Sequence, residues 1–318
     1  MDASSSFAQP LDHGIQAIDT GFHRPRFDAA YLVIEDGHAA FVDTGTNDSV
    51  PRLMDTLRAS GLAPEAVDYV IATHVHLDHA AGAGQLMRQL PRAQLVVHPQ
   101  GAPHLIDPSR LMQSARSVYG DAEVARTYGD VVGVDASRVL RTEDGQTLSL
   151  SGRPLQFWHT PGHARHHHCI WDERSAGVFT GDTFGLSYRE FDTPRGAWLM
   201  PSTTPVQFEP EALRASIARL LALGPRRLYL THYSAVEEPA RLAPMLLDQL
   251  DAMLAQALSL PADAHREATM IERFTDIHLA SLREQGVAMA AQRVSELLAL
   301  DIKLNAQGMT VWLDRRQR

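Results

Sequence analysis

Apolar positions recur in two rhythms along this chain. Up to about residue 237, short apolar runs of strand length alternate with stretches of helical period; beyond it only the helical period remains. Tyr31, Leu32, Val33 and Ile34, with residues 39–42, flank Asp36-Gly37 and predict a β-hairpin. Asp43-Thr44-Gly45 closes it, and Asn47-Asp48-Ser49 offers an N-cap for a helix over 51–60. Residues 69–72 predict a buried strand, 83–90 a helix and 94–98 a further strand, an alternation that marks the α/β class. Residues 103–130 read as a polar helical insertion. Strands then follow in quick order at 146–150, 154–159, 168–172 and 177–180, with a helix at 211–223 and a strand at 228–231. Three helices are expected over 240–258, 266–284 and 286–300, and a terminal hairpin over 301–313 that turns at Asn305-Ala306-Gln307-Gly308. The chain thus divides into an α/β unit, residues 1–239, and a helical C-terminal region, 240–318.

Composition changes this picture by exclusion. Of 318 residues, 44% are hydrophobic and 21% charged, as in a globular protein with a full core. No apolar run approaches the roughly 18 residues of a spanning helix, so no membrane role is expected. A net charge of −9 lacks the basic footprint of a nucleic-acid binder. Cys169 is the only cysteine, which excludes an intrachain disulfide, and Lys303 is the only lysine. Residues 1–10 carry no basic and apolar signal pattern, so a cytoplasmic location is expected. The partner expected is a small-molecule substrate. The helical faces beyond 240 could cover one lip of a site or pair two copies in a homodimer.

The sixteen histidines carry the chemistry. The strand at 69–72 runs into Thr73-His74-Val75-His76-Leu77-Asp78-His79. Residues two apart in an extended segment project to one face, so His74 and His76 can address one ion. Asp78 and His79 follow where the chain turns toward helix and could serve a second. Imidazole and carboxylate suit Zn²⁺, Fe, Mn or Co. Thr160-Pro161-Gly162-His163, Thr180-Gly181-Asp182-Thr183 and Leu230-Thr231-His232-Tyr233 add three more donors, each just past a predicted strand. Alone each is weak. Together, at successive strand ends, they form a constellation that a rigid scaffold can present along one edge.

On these motifs the sequence resembles the metallo-β-lactamase-fold hydrolase superfamily, from about residue 19 to 237. The resemblance implies an αββα sandwich with a metal site along one edge and a C-terminal helical extension. It implies that His74, His76 and His163 hold one ion, that Asp78, His79 and His232 hold a second, and that Asp182 bridges them. Asp43 would support the site without binding metal. The ions expected are two divalent cations, Zn²⁺ first, with Fe or Mn as alternatives. Two such ions about 3.5–4 Å apart can lower the pKa of a shared water to near 7. Of the run His166-His167-His168, His167 is expected to support the ligands, ahead of His166, with the others in solvent.

Within this superfamily, β-lactamases usually carry Cys or Ser where this chain has Asp182. The resemblance therefore points to the glyoxalase II and lactonase-like branches, and to hydrolysis of an ester, lactone or thioester by metal-bound hydroxide. Asp78 and Asp182 would serve catalysis as well as binding, and Tyr188 and Tyr233 are candidates to polarise the substrate carbonyl. Phe184, Phe191, Trp198, Met200 and Phe208 either line an apolar pocket or pack as core. Two other readings stay open at this point. One is a mononuclear iron persulfide dioxygenase-like oxidoreductase, whose Gly-Cys-Gly-Arg stretch is missing here. The other is a non-catalytic metal-binding or sensing module.

Overall fold

The computed structural model describes residues 7–204 and 206–316. The first sheet runs in chain order: β1 (Ala8–Pro10), β2 (Ile15–Asp19), β3 (Ala29–Glu35), β4 (His38–Val42), β5 (Val67–Ala72), β6 (Gln94–Val97) and β7 (Val139–Arg141). It is antiparallel up to β4 and parallel from there. The second contains β8 (Thr147–Leu150), β9 (Arg153–His159), β10 (His168–Asp172), β11 (Gly177–Gly181), β12 (Arg227–Leu230) and β13 (Ser234–Glu237), in reverse order across the sheet. Here only β11 and β12 run parallel.

Side-chain alternation explains the layers. On β4, Ala40 and Val42 enter the core between the sheets, while Ala39 and Phe41 enter an outer core. A strand buried on both faces reads as a continuous apolar run, as residues 39–42 do. The outer core is closed by α1 (Val50–Ala59), α3 (Ala83–Gln89) and α4 (Ala102–Ile106), through residues such as Leu53, Leu86 and Leu105. The short α2 (Leu77–Ala80) sits within the histidine motif; α5 (Ser109–Tyr119) and α6 (Asp121–Tyr128) form the expected helical insertion. On the other side α7 (Pro210–Leu221), α8 (Pro239–Leu258), α9 (Arg266–Gln285) and α10 (Ala291–Arg316) share one apolar cluster with the second sheet. The result is an αββα sandwich with a helical C-terminal segment built onto it. No helix among the described residues is long and apolar enough to cross a membrane.

The terminal hairpin expected over 301–313 is instead part of the single helix α10. Its supposed turn residues serve close packing. A Cβ on Gly308 would lie 1.6 Å from the Thr203 carbonyl oxygen, so only glycine lets the helix approach there. Asn305 Oδ1 accepts the Thr203 N–H at 2.6 Å, and its Nδ2 donates to the Pro201 carbonyl at 2.8 Å. These contacts offset the roughly 1 kcal/mol by which glycine disfavours a helix interior. The α10 helix therefore clamps residues 201–204, a segment that reaches the site below.

Candidate metal centre

Five strands aim their C-terminal ends at one point. Asp43, just past β4, adopts φ 57°, a left-handed conformation that a non-glycine residue holds only when its surroundings fix it. Its carboxylate accepts from the Thr73 N–H at 2.8 Å and from the Thr73 and Thr231 hydroxyls, both at 2.9 Å. It also lies 2.8 Å from His79 Nδ1. With that proton directed at Asp43, His79 Nε2 faces inward, 3.2 Å from Asp182 Oδ1 and 3.7 Å from Asp78 Oδ2.

The other rings are oriented in the same way. His232 Nδ1 is 3.1 Å from the Phe27 carbonyl, which leaves Nε2 3.4 Å from Asp78 Oδ2 and 3.7 Å from Asp182 Oδ1. His163 Nδ1 lies 3.4 Å from the Ser202 carbonyl; its Nε2 is 3.0 Å from His76 Nδ1 and 3.4 Å from Asp182 Oδ2. His74 Nδ1 is 3.2 Å from the Thr73 hydroxyl. Ser202 also donates its hydroxyl to Asp182 Oδ2 at 3.3 Å. Gly162, at φ 138°, lets the turn before His163 lie against α7, where a Cβ would come 2.4 Å from the Leu213 nitrogen. Thr73, Thr231, Ser202 and the Phe27 carbonyl were not singled out in the sequence. The two threonines directly precede His74 and His232, which was the available signal.

All seven donors expected from the sequence are brought together. His74, His76 and His163 form one group, His74, His79 and Asp182 a second, and Asp78, His79 and His232 a third, each with donor atoms within 4.8 Å of one another. His74 Nε2, His79 Nε2 and Asp182 Oδ1 are buried without a hydrogen-bond partner. Buried polar atoms are normally satisfied, so three unmet atoms in one cluster fit a cation site. The charge pattern agrees. Burial pushes Asp182 up, but His79, His163 and His232 outweigh it and hold the carboxyl well below its usual range. Burial and the neighbouring rings hold His74 well below the usual histidine value and take His76 down to about 3. Rings kept neutral in this way keep a lone pair for a metal, whereas, against burial, Asp182 and Asp78 push His79 up and His232 to about 10, so those two would release a proton on binding one.

Three expectations need correction. His166, His167 and His168 are all buried, so none is a solvent group. His167 Nε2 accepts the Asp182 N–H at 3.2 Å while its Nδ1 meets the Thr160 hydroxyl at 2.8 Å. His168 Nδ1 lies 2.9 Å from the Thr142 hydroxyl. They are buried because the turn before β10 passes between the two sheets; the His168 N–H donates to the Thr73 carbonyl at 2.9 Å. Tyr188 cannot reach a substrate carbonyl, since it is fully buried and its hydroxyl donates to Asp301, 3.1 Å from each carboxylate oxygen. Tyr233 is 3% exposed and does not line the cleft over the site. Phe184, Phe191, Trp198, Met200 and Phe208 are core residues, fully buried against the C-terminal helices.

That cleft has a volume of about 600 Å³. Asp78, Asp182 and His232 lie in it, with walls from the α5–α6 insertion, residues 20–27 and α10.

Residues 23–232 match the metallo-beta-lactamase superfamily, and the chain belongs to it. A metallo-beta-lactamase fold-containing protein of Sulfurisphaera tokodaii is 24% identical over 279 residues, 85% of this chain and 97% of that protein. Its crystal structure matches with a TM-score of 0.63 at 23% identity, over 86% of this chain and 100% of that one, a likeness of fold. An acyl-coenzyme A thioesterase of Gallus gallus is 30% identical over 198 residues, 57% of this chain and 67% of that protein. A hydroxyacylglutathione hydrolase of Xylella fastidiosa is 30% identical over 203 residues, 63% of this chain and 57% of that enzyme.

Proposed function

We propose that this chain is a hydrolase that holds two divalent metal ions, Zn²⁺ ahead of Fe or Mn, and cleaves a carboxylic ester, lactone or thioester. The observation that carries the reading is the geometry of Asp182. Its Oδ1 faces His79 and His232, its Oδ2 faces His163, and Oδ1 is buried without a hydrogen-bond partner. One carboxylate so placed can give an oxygen to each of two ions. When bound, such a pair lowers the pKa of a shared water and polarises a carbonyl oxygen.

The chain's own residues prepare that chemistry. His74, His76 and His163 would hold one ion; Asp78, His79 and His232 would hold the other. Asp43 accepts a hydrogen bond from the Nδ1–H of His79, and the Phe27 carbonyl one from that of His232, which turns both Nε2 atoms inward. Such outer partners typically tune metal affinity or activity by about 10–100-fold. His167 pins the backbone of Asp182. Gly181, at φ 46°, lies where a Cβ would sit 2.5 Å from His167 Nε2, so glycine is needed for that approach. The two relatives named as a thioesterase and a hydrolase support the reaction class.

The test is a panel of lactones, aryl esters and thioesters, assayed as purified, after chelation and after metal is restored. Turnover that disappears with chelator and returns with Zn²⁺ is expected on at least one class. No metal-dependent turnover on any class would favour a sensing module, and oxygen uptake with a persulfide would favour a dioxygenase.

A further inference from the structure

The C-terminal helix does more than cover the second sheet. Leu300, Asp301 and Leu304 of α10 all line the cleft above the donor cluster. Asp301 is 8% exposed, and both its oxygens accept from the Tyr188 hydroxyl. Tyr188 is in turn stacked on Phe27, with ring centroids 5.3 Å apart, which holds it against the residues 20–27 wall. The acid is therefore fixed in the wall and cannot swing into bulk water.

Outside the donor cluster and the ions it would hold, the cleft has little positive charge to balance it. Apart from the donor cluster, its acids are Asp48, Glu123 and Asp301. Arg126 is the only arginine or lysine among the described residues that line it, and its Nε already pairs with Glu123 at 3.1 Å. Arg24 lies behind the Tyr188 ring, 4.4 Å from its centroid, is paired to Glu190 at 2.6 Å and is not a lining residue. The lining histidines outside the donor cluster are His23, His104 and His166. Burial and neighbouring positive charge hold His23 below the usual value, and burial with neighbouring rings takes His166 down to about 2, so both stay neutral. The rest of the wall carries no charge: apolar side chains such as Phe22, Leu111 and Leu300 alternate with uncharged polar ones such as Thr46, Ser114 and Gln207.

We propose that Asp301 is a specificity determinant that restricts this cleft to substrates without a carboxylate near the scissile bond. The inference rests on the hydrolase reading above and adds the substrate class to it: an uncharged ester, lactone or thioester. Burial raises the Asp301 carboxyl to about 6, so at pH 8 it is ionised and repels a second anion that enters the same cleft. Between unit charges a few ångströms apart, that repulsion corresponds to about tenfold or more in kcat/KM.

The test uses metal-loaded enzyme at pH 8 and pairs of aryl esters. In each pair a carboxylate, on the acyl tail or on the phenol ring, is replaced by the isosteric carboxamide. The carboxamide is expected to be preferred by about tenfold or more in at least one pair. Asp301→Asn keeps an acceptor for Tyr188 and should narrow that gap, mainly through KM. Glu123→Gln, at an exposed position on α6, should narrow it as well by freeing Arg126. Equal kcat/KM within both pairs, or a gap that Asp301→Asn does not narrow, would overturn the inference alone. No metal-dependent turnover of any ester would overturn the hydrolase reading and this inference with it.

Discussion

The strand pair β9–β10 buries polar groups at both of its ends, in opposite ways. At the end far from the cleft, Arg153 meets Asp172 through Nε at 2.9 Å and Nη2 at 2.5 Å, while Nη1 donates to the His13 carbonyl at 2.7 Å. Both side chains are fully buried, and each guanidinium nitrogen has an acceptor. At the other end, the turns that carry His163 and His167 meet Asp182, His74 and His79, and donor atoms of the last three have no partner. A closed polar cluster fixes a register between strands. An open one, with its unmet atoms aimed at a common point, is a site for something the chain does not itself supply. Burial alone does not separate the two, and the hydrogen-bond inventory does.

Breaking the open end should cost the most activity. Asp182→Ala removes the group that faces three of the five donor rings, and kcat/KM is expected to fall by more than about 100-fold, beyond the range of an outer partner. Far-UV circular dichroism should stay unchanged, because Asp182 closes no strand pairing. Full turnover with both ions retained would contradict the bridge.

Breaking the closed end should do the reverse. Arg153→Ala leaves Asp172 buried and unpaired, which typically costs about 3–5 kcal/mol. Urea unfolding should show that loss, while the metal content of the molecules that remain folded stays at the parent value. A loss of metal at unchanged stability would erase the distinction between the two ends.

Smaller changes sharpen the contrast. Asp43→Ala should weaken metal affinity or activity by about 10–100-fold, less than Asp182→Ala, since it acts through His79. Gly308→Ala forces α10 off the Thr203 carbonyl. We expect a stability loss of about 1–3 kcal/mol and, through Ser202, weaker metal binding in a competition titration.

The smallest effect on activity is expected from a buried imidazole outside the cluster. His278 Nδ1 meets Gln249 Oε1 at 2.9 Å, its Nε2 is unmet, and it belongs to no cluster of three metal-ligating groups among the described residues. Burial takes it from 6.5 down to about 3. The unfolded chain then binds a proton that the folded chain refuses between those values. Stability should therefore fall as pH drops through that window, by at most about 1.4 kcal/mol per pH unit from this group. His278→Gln should flatten the slope in urea titrations at pH 4 and 6; an unchanged slope would show that the ring titrates freely.

The sequence and the structure agree most closely where chemistry sits in short motifs after apolar runs. Thr73 to His79 and the turns at His163, Asp182 and His232 each join a period-two strand to a donor, so local spacing already places the side chain. Partners set by distant packing were not legible. Asn305 and Gly308 carry a turn signal, yet they serve a contact with residues 201–204, about a hundred positions away. The burial of His166 and His168 depends on how the two sheets meet, and the same holds for the pairing of Tyr188 with Asp301. Strands β1 and β2 carry no such signal: β1 is only three residues long, and β2 is ordered by pairing with β1 and β3.

Metal stoichiometry tests the central claim most directly. Protein prepared with excess Zn²⁺, freed of loosely held metal by gel filtration and analysed for elemental content, should carry close to two ions per chain, and Asp182→Ala clearly fewer. A consistent value of one, with His232 and Asp78 free in a metal-bound crystal structure, or a value near zero, would contradict the two-ion account.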